Sequence, residues 1–373
     1  MLPSPQIITL LLFPLSSALS TQTTTTTTIH NDTIDTGPFP ADLNGSNFTY
    51  PWPIKLFRFT SQSQPLEMAF MDVRSSSKNK NKPRPQPQKV ALLLHGGNFC
   101  AATWRTTAAS LLHQAGGGYN RIIIPDQIGF CKSSKPPSTY QFTLHQLALN
   151  TFSLLSALNL TPTSTSSPTN LTIIGHSLGG MLATRLVLSY PSLVPTLILI
   201  NPIGLEHWTA KGVPYPGIDT LLATELTTTY ASIRSYQQST YYPPDTEWTE
   251  AFDEPVRMLA SIYAGTQARA FAYNRALVTD MVLTQTVLYE WPLIKAKRTL
   301  LLIGTRDTTA IGKAWAPPEV QATLGHYDVL GKEAAAAIPG AELIEFGDLG
   351  HVPQMQDPER LHAALVGWLR KGE

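Results

Sequence analysis

At 373 residues with 43% hydrophobic side chains, the chain can bury one full core and has length left for roughly one inserted lobe. Its charges nearly cancel, 27 Lys+Arg against 26 Asp+Glu. That excludes the strong single-sign field by which nucleic acid or an anionic membrane surface is held.

In chain order, the start reads as a secretory leader over residues 1–20. The apolar run Ile7 to Phe13 is followed by Pro14 and a small-residue stretch in which Ala18 and Ser20 fit a cleavage site. The run is far shorter than the ~20 residues of a membrane span, so no stable membrane anchor is expected. Residues 21–50, nearly all threonine at first, lack the apolar content of a core and read as a disordered linker. Five sequons begin at Asn31, Asn44, Asn47, Asn159 and Asn170 and mark glycan acceptors of an extracellular protein.

From residue 51 short apolar runs alternate with helical patterns. Strands are predicted at Ile54–Thr60, Leu66–Val73, Val90–His95, Arg121–Pro125, Leu171–Gly175, Thr196–Ile200, Thr299–Ile303 and Glu342–Phe346. Helices are predicted at Leu144–Leu158, Gly180–Ser189 and Pro358–Leu369. Continuous apolar strands suit a parallel sheet covered on both faces, and the alternation with helices makes the class α/β. Low-complexity inserts at Ser75–Lys89 and Thr161–Thr169 read as exposed loops. One stretch breaks the rhythm: residues 206–297 carry helical patterns and many aromatics, among them Trp208, Tyr236, Tyr241 and Trp291, but no buried strand. The expected organisation is therefore core at 51–205, a helical cap at 206–297, and core again at 298–373.

Gly175-His176-Ser177-Leu178-Gly179 stands between a strand and a helix. There the serine would sit on a sharp turn, with unpaired N–H groups of the helix start beside it. A serine hydroxyl needs a base. His351 follows the last strand and Asp307 the one before it, so in a parallel sheet both would meet Ser177 at the carboxyl edge. His95-Gly96-Gly97-Asn98 follows another strand. Its Gly97 or Asn98 amide, with that of Leu178, is positioned by this reading to receive an oxyanion. Cys100 and Cys131 lack zinc-site spacing, and neither a metal nor a cofactor is expected.

Together HGGNFCAATW, PDQIGFCKSSKP, IIGHSLGG, LLIGTRDTTAIGK and GDLGHVPQMQDPERL resemble the α/β-hydrolase superfamily. The resemblance runs from about Tyr50 to the C-terminus. It is closest in kind to the branch with a helical cap between strands six and seven, which includes haloalkane dehalogenases, epoxide hydrolases and meta-cleavage product hydrolases. It implies an eight-stranded, mostly parallel sheet with Ser177, His351 and Asp307 as nucleophile, base and orienting acid. Dehalogenases and epoxide hydrolases carry aspartate where this chain has Ser177, so their route through an alkyl-enzyme is not expected. In this family's sheet order Cys100 and Cys131 follow neighbouring strands, so one disulfide is implied, with two buried thiols as the alternative. The expectation is a secreted serine esterase acting on a small or medium, largely apolar substrate. Hydrolysis of a C–C, lactone or thioester bond is the alternative, as is a non-catalytic ligand-binding member of the fold.

Overall fold

The computed structural model describes residues 32–75, 88–113, 118–162, 169–193 and 195–371. The predicted leader, residues 21–31 of the linker with Asn31, and most of both low-complexity inserts lie outside them. In chain order the elements are β1 Thr33–Asp35, β2 Ile54–Ser61, β3 Gln64–Arg74, β4 Gln88–Leu94, α1 Arg105–Leu112 and β5 Arg121–Pro125. Next come α2 Leu144–Ala157, β6 Thr169–His176, α3 Leu178–Ser189 and β7 Thr196–Ile200. Four helices follow: α4 Ile218–Leu226, α5 Tyr230–Tyr241, α6 Glu250–Tyr263 and α7 Ala268–Thr284. The chain closes with β8 Arg298–Gly304, α8 Pro318–Gln321, α9 Tyr327–Ala337, β9 Ala341–Phe346, α10 Pro353–Gln356 and α11 Pro358–Arg370.

The described strands form a single sheet in the order β1-β2-β3-β5-β4-β6-β7-β8-β9. The first three pair antiparallel, and everything from β5 to β9 is parallel. Alternate residues of a strand point to opposite faces, and here both faces are covered. Leu92, Ile173, Leu199 and Leu301 enter one apolar layer with α2, α3 and α9. Leu93, Ile174, Ile198 and Leu300 enter the other, with α1 and α11. Burial on both sides is why these strands read as unbroken apolar runs.

Two expectations need correction. The sheet has nine strands rather than eight, because β1 adds to its edge by pairing with Leu56–Arg58 of β2. Residues 32–50 are accordingly not a disordered linker. The Lys132 ammonium donates to Ala41 O and Ser46 O, each at 2.6 Å, and Lys135 Nζ to Asn44 O at 2.6 Å. The Tyr50 hydroxyl donates to Asp126 Oδ2 at 2.6 Å. Ile34, Phe48 and Tyr50 of this stretch also pack against the core, but they are scattered among polar residues, and the hydrogen bonds to Lys132, Lys135 and Asp126 supply the rest of the anchoring. Of the predicted glycan acceptors, Asn44 is half-buried and its amide nitrogen donates to Lys132 O. Asn47, Asn159 and Asn170 are exposed.

The register places the carboxyl ends of the central strands side by side. Leu94 pairs with Gly175, His176 with Ile200, Ile200 with Leu302, and Gly304 with Phe346. Whatever follows β4, β6, β8 and β9 therefore gathers at one edge.

Candidate active site

At that edge β6 turns sharply into α3. Ser177 is the pivot, with φ +55° and ψ −123°, a backbone region costly for any residue with a Cβ. The turn is possible because glycine stands two residues on: a Cβ on Gly179 would lie 2.0 Å from Leu94 O. Leu178 opens the helix, and its N–H makes no hydrogen bond among the described residues.

Asp307 and His351 arrive from β8 and β9. His351 Nδ1 is 2.6 Å from Asp307 Oδ2, both side chains being wholly buried. The carboxylate takes two further hydrogen bonds, from Asn201 Nδ2 to Oδ2 at 2.9 Å and from the Thr309 amide to Oδ1 at 2.8 Å. Since a carboxylate only accepts, His351 Nδ1 carries a proton. Its buried Nε2 has no hydrogen-bond partner among the described residues. The His351 backbone is held by His176, whose Nε2–H donates to His351 O at 2.8 Å, and the two rings lie 5.0 Å apart. Burial and the neighbouring His351 push His176 well below the ordinary histidine range, so it stays neutral.

Tyr241, at the end of α5, touches this histidine twice. Its carbonyl accepts from the His351 amide at 2.8 Å, and its ring lies 4.6 Å from the imidazole. The approach is close enough that a Cβ on Gly350 would fall 2.2 Å from Tyr241 O. Burial drives the Tyr241 hydroxyl well above the usual phenol range, and it accepts from Asn98 Nδ2 at 2.8 Å.

The segment after β4 is pinned from several sides. His95 Nε2 accepts from Gln127 N at 3.1 Å, so its Nδ1 bears the proton and donates to Gly96 O at 2.8 Å. The Phe99 amide closes a turn on the same oxygen at 3.1 Å. Arg275 of α7 donates from Nη1 to Gly97 O at 2.7 Å and from Nη2 to Asn98 Oδ1 at 2.9 Å. Immediately beyond, Cys100 is joined to Cys131 by a disulfide, with Cα atoms 5.8 Å apart.

A cavity of about 960 Å³ opens onto Ser177, Gly97, Asn98 and Leu178. Apolar groups such as Leu221, Ile233, Leu259 and Val282 line much of it, with threonine and tyrosine hydroxyls between them. Its walls come from α4–α7 and also from residues 308–315, a segment after β8. Charge is present too, in Arg275, Glu225 and Lys313. Arg234 and Arg257 lie outside the lining and pair with Asp253. A smaller hollow of about 430 Å³, lined by Asn44, Gln64 and Lys135, holds none of Ser177, Asp307 or His351. Sequence reasoning missed Asn201, and it missed the contacts by which Arg275 and Tyr241, counted there only among the cap aromatics, reach the site; nothing local to them differs from an ordinary strand end or helix.

The model of the Alpha/beta hydrolase family matches residues 91–364. A probable hydrolytic enzyme from Pseudomonas aeruginosa, of known crystal structure, is 47% identical, with a TM-score of 0.77 over 86% of this chain and 95% of that one. An esterase from Thermogutta terrifontis superposes with a TM-score of 0.59 at 21% identity, covering 84% and 96%, and shares the fold. By sequence the chain is 25% identical to a 2-hydroxymuconate semialdehyde hydrolase of Pseudomonas putida, over 76% of this chain and 88% of the relative. It is also 26% identical to an uncharacterized protein of Mycobacterium tuberculosis over 72% of each. With its family's model matched across most of its length and a hydrolytic enzyme so similar in structure, the chain belongs to the α/β-hydrolase family and is a hydrolase.

Proposed function

We propose that the protein is a secreted serine esterase that cleaves an uncharged carboxylic ester of small or medium size through an acyl-enzyme on Ser177. One observation carries this reading. The buried imidazole of His351 is fixed by Asp307 through Nδ1 while its Nε2 has no partner among the described residues. That is the state of a base waiting for a proton.

In the proposed reaction Ser177 Oγ attacks the ester carbonyl and its proton passes to His351 Nε2. Asp307, steadied by Asn201 and Thr309, stabilises the imidazolium. The oxyanion takes the Leu178 amide and, of the two earlier candidates, the amide of Gly97. A trans peptide points its C=O and N–H in opposite directions. Gly96 O faces His95 and Phe99, so Gly97 N–H faces the other way; Gly97 O faces Arg275 in the cavity wall, so Asn98 N–H turns from it. His351 then gives its proton to the leaving alcohol, and water repeats the sequence on the acyl-enzyme.

Neutral substrates are favoured because Arg275 already spends both terminal nitrogens on the 97–98 segment and has Glu225 Oε1 4.0 Å from its Nε. Secretion is supported by the leader-like start, the exposed sequon asparagines and the disulfide, a bond of oxidising compartments.

Ser177→Ala should leave the fold intact and lower turnover of p-nitrophenyl esters by about 10⁴-fold or more. Wild type should be labelled by a fluorophosphonate and the variant not; undiminished labelling of the variant would refute the assignment. The relative named for 2-hydroxymuconate semialdehyde makes a C–C bond the second reading. A screen of ester chain lengths with that compound included decides between them.

A further inference from the structure

Resting on that reading, we propose that Arg275, although it belongs to the inserted helical segment, is a positioning residue for catalysis: it holds the Gly97–Asn98 peptide so that its carbonyl oxygen cannot turn toward the developing oxyanion.

Two consecutive glycines give the 96–98 segment little stiffness of its own, since glycine takes either sign of φ freely. The Gly96–Gly97 peptide is fixed from within the core, by His95 Nδ1 and the Phe99 amide on Gly96 O. The next peptide has no such core partner among the described residues. Its oxygen is held at 2.7 Å by Arg275 Nη1, and the following side chain, Asn98, is held at both ends, by Arg275 Nη2 and by the Tyr241 hydroxyl. A planar guanidinium presents two donors in a fixed fork, so it sets the orientation of this peptide as well as its place. Released, the plane could rotate and direct a carbonyl dipole at the negative charge it should be turned away from.

The arginine is itself held. Its guanidinium lies over Phe130 at 5.6 Å from the ring centre, and Glu225, 4.0 Å from Nε, is hydrogen-bonded by the Tyr263 hydroxyl. Burial alone would lower its pKa, but Glu225 and Tyr263 outweigh that and keep it charged. A cation so balanced by a carboxylate and committed to protein acceptors is placed to organise the segment rather than to bind an anionic substrate.

The test compares wild type, Arg275→Met and Arg275→Lys on p-nitrophenyl butyrate, with n-butylboronic acid as a tetrahedral mimic and hydrogen exchange of the 96–99 amides. The methionine variant should lose at least about tenfold in kcat, with KM within about threefold, and bind the boronate at least about tenfold more weakly. Lysine, with one point donor in place of two, should recover part of the loss. Amides 96–99 should exchange faster in Arg275→Met. An unchanged kcat, or a rise in KM alone, overturns the proposal, the latter by making Arg275 a substrate contact. If the methionine variant does not fold, the lysine variant decides: a kcat equal to wild type overturns it. Should wild type show no Ser177-dependent turnover, the esterase reading fails by itself. Exchange at 96–99 still separates the two, since unchanged rates in the variant refute positioning and faster rates support it.

Discussion

Asn201 carries as much of the His351–Asp307 geometry as any residue outside that pair. It sits just past β7 at φ +35°, wholly buried, and its amide makes three hydrogen bonds: to Asp307 Oδ2, to Gly304 O, and from Gly304 N. It thus ties the acid to the strand end that presents it. Asn201→Gly keeps the backbone conformation and removes only the amide, leaving a buried carboxylate short of a donor. Such a loss costs about 1–3 kcal/mol, so kcat on a small ester should fall by about fivefold to a hundredfold. A kcat within twofold of wild type would mean that Thr309 N suffices. The sequence exposed Ser177, Asp307 and His351 because each follows a recognisable strand, one of them inside a motif with a steric reason for its glycines. It left Gly97 and Asn98 undivided, since only the directions of the carbonyls preceding their amides, Gly96 O and Gly97 O, separate them. The contacts that Asn201, Tyr241 and Arg275 make at the site were invisible for a different reason: they reach 103 or more positions along the chain, and no local pattern encodes them.

Strands tell a similar story. Eight were legible as apolar runs, while β1, three residues of Thr-Ile-Asp, was not, because a short edge strand needs little apolar surface. What joins the antiparallel edge to the parallel body is partly electrostatic. Asp72 of β3 lies between Lys55 of β2, at 2.8 Å, and Arg121 of β5, at 2.7 Å. Burial raises the carboxyl's pKa, yet the hydrogen bonds of Arg121 and Lys55 and the charges of Arg121 and Arg74 prevail and hold it at about 2, against 3.8 for a free aspartate. With the folded value depressed, the stabilisation is complete above the unfolded pKa and lost as pH falls toward the folded one. Wild type should therefore resist urea better than Asp72→Asn near neutrality. The gap between their midpoints should narrow as pH drops from about 4 to about 2. A gap independent of pH across that range would assign the effect to packing.

Across the whole molecule, two cross-connections hold loops at the carboxyl edge of the sheet. The first is the disulfide, which closes a 31-residue separation between the segment after β4 and the one after β5. Constraining a loop of that length stabilises by about 3–4 kcal/mol in the chain-entropy account. Cys100→Ala combined with Cys131→Ala should lower the denaturation free energy by roughly that amount, read from guanidinium midpoints at unchanged slope. Equal midpoints would show the bond to be energetically idle. The second is the stretch around Asn44, which touches both Lys135 and the turn between α6 and α7. Gly45 meets that turn so closely that a Cβ on Gly265 would lie 1.9 Å from Gly45 O. This has a consequence for synthesis. During translation the partner at Gly265 emerges some 220 residues after Gly45. The early stretch can meet Lys132 and Lys135 first, but its seat against that turn must wait while most of the chain is made, and this docking belongs among the last steps of folding rather than the first.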